Sequence, residues 1–232
     1  MCLLFFHVIK FSSSSVTFEC LHLINPFGDA MKKFLNTLQT QRWDDHRYYH
    51  QSRINQSLHF VSAISFLVSY AYLFVDPVIS GLIAWLISMS TRQIGHFFFE
   101  PQGFDEVNQV TNEYKEDVKV GYNLNRKIVL IAACALIPVL AYFMPQALTW
   151  AVPEAYEDTP IRMTGIAWLF LGVSGLLFRV IQLWWKESLL DGLAWATKII
   201  TDPIHDIKLY YRAPFYLLKG QLIDPMEHVQ SH

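Results

Sequence analysis

An all-α fold, an integral membrane bundle of four helices arranged as two hairpins, is what this sequence predicts. Three observations lead there. The 232 residues are 53% hydrophobic and only 16% charged, where a soluble domain carries about 25% charged residues. The missing charge is concentrated in four apolar stretches, each near the roughly 20 residues needed to cross a hydrocarbon core. The basic residues, finally, collect on one side of those stretches. A net charge of -2 with no dense basic stripe argues against nucleic acid as a partner.

The chain begins "MCLLFFHVIKFSSSSVTFEC", apolar but without a basic leader or a small-residue cleavage site, which argues against a signal peptide. Met31, opening "MKKFLNTLQTQRWDD", is the more natural start. Residues 1–30 therefore read as a dispensable extension, 31–220 as a single membrane helical domain with a cytoplasmic N-terminal segment, and 221–232 as a tail. The first apolar stretch runs from about Ser57 to Val75 and the second from about Pro77 to Phe98. Asp76-Pro77 leaves room between them only for a tight antiparallel hairpin. The third stretch runs from about Ile128 to Leu148, the fourth from about Met163 to Trp185.

Lys32, Lys33, Arg42, Arg47 and Arg53 precede the first stretch, and Lys115, Lys119, Arg126 and Lys127 lie between the second and third. Lys186, Lys198, Lys208, Arg212 and Lys219 follow the fourth. The third-to-fourth connection holds Arg162 against Glu154, Glu157 and Asp158. Both termini and the central loop are thus expected in the cytoplasm, in a bacterial inner membrane or the endoplasmic reticulum, which share this charge rule. Beyond the fourth stretch, Leu189, Leu193, Ala196 and Ile200 recur at helical spacing beside Trp184 and Trp185. That pattern predicts an amphipathic helix on the membrane surface. "APFYLL", Ala213 to Leu218, is too short to span and is expected at the interface as well.

On this topology His46, His50, His59, His96 and His205 all fall near the cytoplasmic surface. His46 and His50, Asn55 and His59, and His96 and Glu100 stand i, i+4, while Gln93, His96 and Glu100 share a face of "RQIGHFFFE". Histidine with carboxylate suits a non-haem iron site, although imidazole also serves zinc and copper. Each ring has a plainer reading as a cap or a packed hydrogen-bonding group. For His46, beside Asp44 and Asp45, a solvated surface is the expectation. His59 and His96 sit among apolar residues, where an unpartnered ring costs about 1–3 kcal/mol, and such residues mark functional sites. Glu100 needs a cation, a proton or a metal, with Arg92 or a nearby lysine as the alternative partner. His205 is a candidate further ligand if its segment folds back under the bundle, and His46 has the same standing. Asp105, Glu106, Glu113, Glu116 and Asp117 read as a solvated acidic face. Cys2, Cys20 and Cys134 share no close spacing and form neither a disulfide framework nor a zinc knuckle.

"HQSRINQSLH" followed by an apolar hairpin and then "QIGHFFFE" resembles the 2-hydroxy fatty acid (2-hydroxypalmitate) dioxygenase family, which carries His-x4-Asn-x3-His and Gln-x-Gly-His-x3-Glu elements. The resemblance covers about Asp45 to Pro101, and "APFYLL" is similar to the family's closing segment. The chain departs from the family where Gln51 and Ser52 follow the first histidine and where "PQGFDEV" follows the glutamate. The resemblance implies a membrane enzyme using Fe2+ and dioxygen to shorten a 2-hydroxy fatty acid by one carbon, a step of fatty acid alpha-oxidation. It implies His50, His59 and His96 as metal ligands, with Asn55, Gln93 and Glu100 as supporting or catalytic groups. Two other readings compete. A non-enzymatic membrane scaffold or lipid-binding protein would use its histidines as interhelical glue. A membrane di-iron hydroxylase or desaturase would carry several clustered HxxxH and HxxHH elements, of which only His46-x3-His50 is present.

Overall fold

Local hydrogen-bonding chemistry sets where the helices begin. The computed structural model describes residues 26–100, 103–118 and 124–226. Helix α1 spans Pro26–Tyr49 and α2 spans Arg53–Tyr72, separated by His50, Gln51 and Ser52. Ser52 caps α2 by accepting a hydrogen bond from the Asn55 amide at 3.4 Å. Asp76 does the same for α3, Pro77–Ile83, by accepting from the Val78 and Ile79 amides. Pro77 fits the first helical turn because no donor is needed there. A π-helical segment, Ala84–Met89, joins α3 to α4, Ser90–Phe98. There follow α5, Asn112–Val118; α6, Leu124–Phe143; α7, Pro160–Lys186; α8, Leu189–Tyr210; and α9, Ala213–Leu218. No strand occurs among the described residues, so the chain is all-α as its composition predicts.

Helix α2 is the hub, packing on α3, the π-helical segment, α4, α8 and α9. The hairpin it makes with α3 is closed by small polar residues that satisfy one another. Ser69 and Ser80 each donate to the other's carbonyl, at 3.0 and 2.9 Å, and Ser62 donates to the Ser88 carbonyl at 2.7 Å. Helices α3 and α7 cross where a Cβ on Gly81 would stand 2.1 Å from the Gly165 carbonyl oxygen, so glycine alone permits the approach. The Trp85 indole donates to the Trp168 carbonyl at 2.8 Å, and the Trp168 indole to the Cys134 carbonyl at 2.9 Å. These bonds stitch the π-helical segment, α7 and α6 around a core that includes Val78, Ile137, Ala141 and Met163.

All four apolar stretches are helical, yet among the described residues one helix, α7, is long and apolar enough to cross a membrane. Only 17% of its most apolar window is buried. Two reasons separate it from the others. The polar Asn55, Gln56, His59 and four serines dilute α2, and the π-helical segment divides the second stretch into two short α-helices. The apolar part of α6, Ile128–Phe143, is shorter.

Several local expectations change. The polar face of α8 is not in water: Lys198, Asp202, Asp206 and Tyr210 are buried against the bundle while Leu189, Leu193 and Ile200 are exposed. Helix α9 packs on α2. Residues 221–226, read above as the start of a tail, are tied to the α1–α2 break. The Asp224 amide donates to the Gln51 carbonyl and the Arg53 amide to the Leu222 carbonyl, both at 2.8 Å. In the acidic loop, Glu106 and Glu113 are exposed as expected, but Asp105 is buried and accepts from Gln51 and Asn108. Met31 falls inside α1, and residues 1–25, with Cys2, Cys20, His7 and His22, lie outside the described residues, as do His228 and His232.

Candidate metal centre

Three segments far apart along the chain deliver one imidazole each to a common point. His50 comes from the α1–α2 break, His59 from the second turn of α2, and His96 from the last turn of α4. One ligand atom from each lies within 4.8 Å of those of the other two, and all three rings are buried. Ring centroids stand 4.1 Å apart for His50 and His59, 4.8 Å for His59 and His96, and 5.2 Å for His50 and His96. The spatial expectation for these three is met. A buried group of this kind could hold a metal ion.

The outer nitrogens of two of the rings are hydrogen-bonded and that of the third faces a carboxylate, the kind of support ligating histidines use. His50 Nδ1 lies 2.8 Å from the Tyr210 hydroxyl, and His96 Nδ1 lies 3.0 Å from Glu100 Oε2. His59 Nδ1 faces Asp206 Oδ2 at 3.6 Å. His50 Nε2 is buried with no hydrogen-bond partner among the described residues. An orphaned imidazole nitrogen next to two further imidazoles fits a cation at that point, because a buried lone pair without a partner is otherwise costly. Burial, and then the proximity of His59, push the His50 imidazole well below its ordinary value. A neutral ring is the form that binds metal.

The remaining sequence candidates take distinct places. Glu100 pairs with His96 rather than with Arg92, which lies 3.3 Å from Asp206 and 3.7 Å from Asp202. Asn55 is fully buried, donates to the Tyr49 carbonyl at 2.8 Å, and has its Oδ1 beside Gly95. The buried Gln93 Oε1 has no hydrogen-bond partner among the described residues. His46 is buried, not solvated, and stands behind the triad with its Nδ1 2.8 Å from the Tyr210 hydroxyl. His205 is half-buried and lines a small cavity with Arg42, Asp45, His46 and Lys198. Neither His46 nor His205 belongs to the close group of three.

Sequence reasoning passed over the polar stripe of α8. Lys198, Asp202, Asp206 and Tyr210 recur every four residues, one polar stripe along a helix whose other side is apolar. That spacing was a visible signal. Lys198 Nζ donates to Asp202 at 2.7 Å and to Asp45 at 2.8 Å, and Arg42 Nε reaches Asp202 at 3.5 Å. With Arg92 and Asp206, three cations and three carboxylates neutralise one another beside the triad. Burial alone would raise the Asp45 carboxyl, but the Lys198 ammonium holds it well below the carboxylate range. Burial likewise opposes the charge on Lys198, and Asp45 and Asp202 hold its ammonium above the ordinary lysine value.

The Gly95 position shows how tightly the site is built. A Cβ there would stand 2.2 Å from Asn55 Oδ1 and 3.5 Å from the His59 ring. Gly95→Ala must displace a fully buried amide, so we expect a destabilisation of about 1–3 kcal/mol and a metal affinity at least about tenfold weaker. Thermal melting and metal titration of the variant check both. Compared with protein-family models, curated proteins and solved structures, the chain matches none of them.

Proposed function

We propose that this chain is a membrane-embedded dioxygenase in which His50, His59 and His96 hold one ferrous ion, and that it shortens a 2-hydroxy fatty acid by one carbon. The buried three-histidine group carries the reading. One such group among the described residues favours a single metal over a di-iron centre. The family resemblance of the elements around His50 and His96 supplies iron and the substrate class. The wide exposure of Phe74, Phe178 and Trp185, at 89%, 65% and 91%, supports an outer surface facing lipid. Four spans with both termini in the cytoplasm remain our reading of the charge asymmetry.

Bound ferrous iron supplies redox chemistry and open positions for oxygen ligands. The net reaction balances without another co-reactant: R–CH(OH)–COOH and O2 give R–COOH, CO2 and H2O. The bond between carbons one and two breaks, the substrate loses four electrons, and dioxygen takes them. His50 and His59, 1% and 0% exposed, exclude bulk water from the inner side. His96 and Glu100 form the least enclosed side, with side chains 7% and 10% exposed, and are where a carboxylate head would approach. Glu100 holds the His96 ring by its Nδ1, and the buried Asn55 Oδ1 and Gln93 Oε1 would accept a hydrogen bond from the substrate's 2-hydroxyl. A groove of about 540 Å³ lined by polar residues including Lys32, Asn36, Asp44 and Glu187 does not suit an acyl chain. The tail is better received from the apolar outer surface.

The test is incubation of purified protein with ferrous iron, oxygen and a labelled 2-hydroxy fatty acid. An acid one carbon shorter, released with an equimolar amount of carbon dioxide, is the expected product. Full metal loading without product would return the chain to the scaffold or lipid-binding reading.

A further inference from the structure

The geometry points to Tyr210 as a positioning residue of the metal centre, its hydroxyl aiming the His50 ring at the ion and tying that ring to His46. This rests on the metal-binding reading above and adds to it a helix that the sequence motifs do not include. The Tyr210 oxygen lies 2.8 Å from His50 Nδ1 and 2.8 Å from His46 Nδ1. A phenol has one proton and accepting lone pairs, so it can serve two imidazoles only by donating to one and accepting from the other. Metal ligation through His50 Nε2 decides the order. The His50 proton then resides on Nδ1 and is donated to the Tyr210 oxygen, and the Tyr210 proton is donated to His46 Nδ1. The chain His50–Tyr210–His46 thereby fixes one tautomer and one ring orientation at the ligand.

The surrounding contacts hold this bridge in place. Tyr210 is 1% exposed and His46 is 5% exposed, so water does not compete for the bonds. Helix α1, which carries His46, is fastened to α8, which carries Tyr210. Lys198 donates to Asp45 at 2.8 Å and Arg42 to Thr201 at 2.6 Å. The same face of α8 presents Asp206 to His59 Nδ1 at 3.6 Å. Two of the three histidines are therefore backed from α8 and the third, His96, from Glu100 on its own segment.

The experiment uses the full chain in detergent or lipid nanodiscs, titrated with Co2+, whose visible absorption reports ligand geometry. Tyr210→Phe is compared with Tyr49→Phe, which removes an equally buried phenol hydroxyl that donates to the Lys115 carbonyl at 2.6 Å and not to a histidine. We expect Tyr210→Phe to bind Co2+ about 10–100-fold more weakly and with a shifted absorption band. Tyr49→Phe should stay within about twofold of the parent with its band unchanged, because its hydroxyl proton goes to a backbone carbonyl. His46→Ala, which cuts the far end of the bridge without touching the ligand, should shift the band in the same direction with a smaller loss. It also serves if Tyr210→Phe fails to fold. Parent-like binding and spectrum in Tyr210→Phe, or equal losses in the two tyrosine variants, would overturn the inference while leaving the metal site standing. Complete loss of Co2+ in His46→Ala would make His46 a ligand and also overturn it. A parent protein that binds no Co2+ would remove the metal-binding reading itself.

Discussion

His59→Ala is expected to abolish stoichiometric metal binding and product formation while the protein remains helical. His59 is the middle ring of the three, fully buried, with its centroid 4.1 Å from that of His50 and 4.8 Å from that of His96. Removing an outer partner of a metal ligand weakens binding about 10–100-fold, so removing a ligand itself should exceed about 100-fold. Melting provides a readout independent of turnover. A metal present at 100 times its dissociation constant stabilises the folded state by about 2.7 kcal/mol. For a chain of this size that corresponds to roughly 5–10 °C. The parent should show that rise on addition of ferrous ion under anaerobic conditions, and His59→Ala should show none. An equal rise in both would exclude the three-histidine site as the place where metal binds.

The second large effect concerns charge balance beside the triad. Asp202 is 2% exposed and faces Lys198 at 2.7 Å, Arg42 at 3.5 Å and Arg92 at 3.7 Å. Asp202→Asn keeps the shape but leaves three cations against Asp45 and Asp206. An unpaired buried charge costs about 3–5 kcal/mol, or roughly 10 °C in melting temperature for a chain of this length. Adding Lys198→Met restores equality, with Arg42 and Arg92 against Asp45 and Asp206. The double variant should therefore melt above Asp202→Asn alone. If the double variant melts lower, by the sum of two separate losses, the cluster is not acting as one balanced unit.

The reverse arrangement of polar and apolar surface explains what was legible and what was not. The apolar stretches around Ser57–Val75, Pro77–Phe98, Ile128–Leu148 and Met163–Trp185 all appear as helices, since hydropathy and the Asp76-Pro77 turn act locally. His59 and His96 stood out because rings among apolar neighbours have few ways to be satisfied, whereas His50, in a polar stretch, was pointed to only by the motif resemblance. Helix α8 misled for the same reason turned about. Its apolar repeat was plain, but which face meets the bundle depends on partners 150 and more residues away, such as Asp45 for Lys198 and His46 for Tyr210. His46 looked solvated beside Asp44 and Asp45 because nothing nearby in the chain shows that α8 will cover it.

By itself the sequence determined the helical class, the tight turn at Asp76-Pro77, and His59 and His96 as buried polar rings, because turn chemistry, hydropathy and donor chemistry are properties of short segments. The tertiary structure alone decided that these imidazoles meet that of His50, that Tyr210 and Asp206 stand behind two of the three, and that residues 221–226 close over the break carrying His50. Those outcomes depend on how helices remote in sequence neutralise each other's charges and fill each other's hydrogen bonds, and no single segment contains that information.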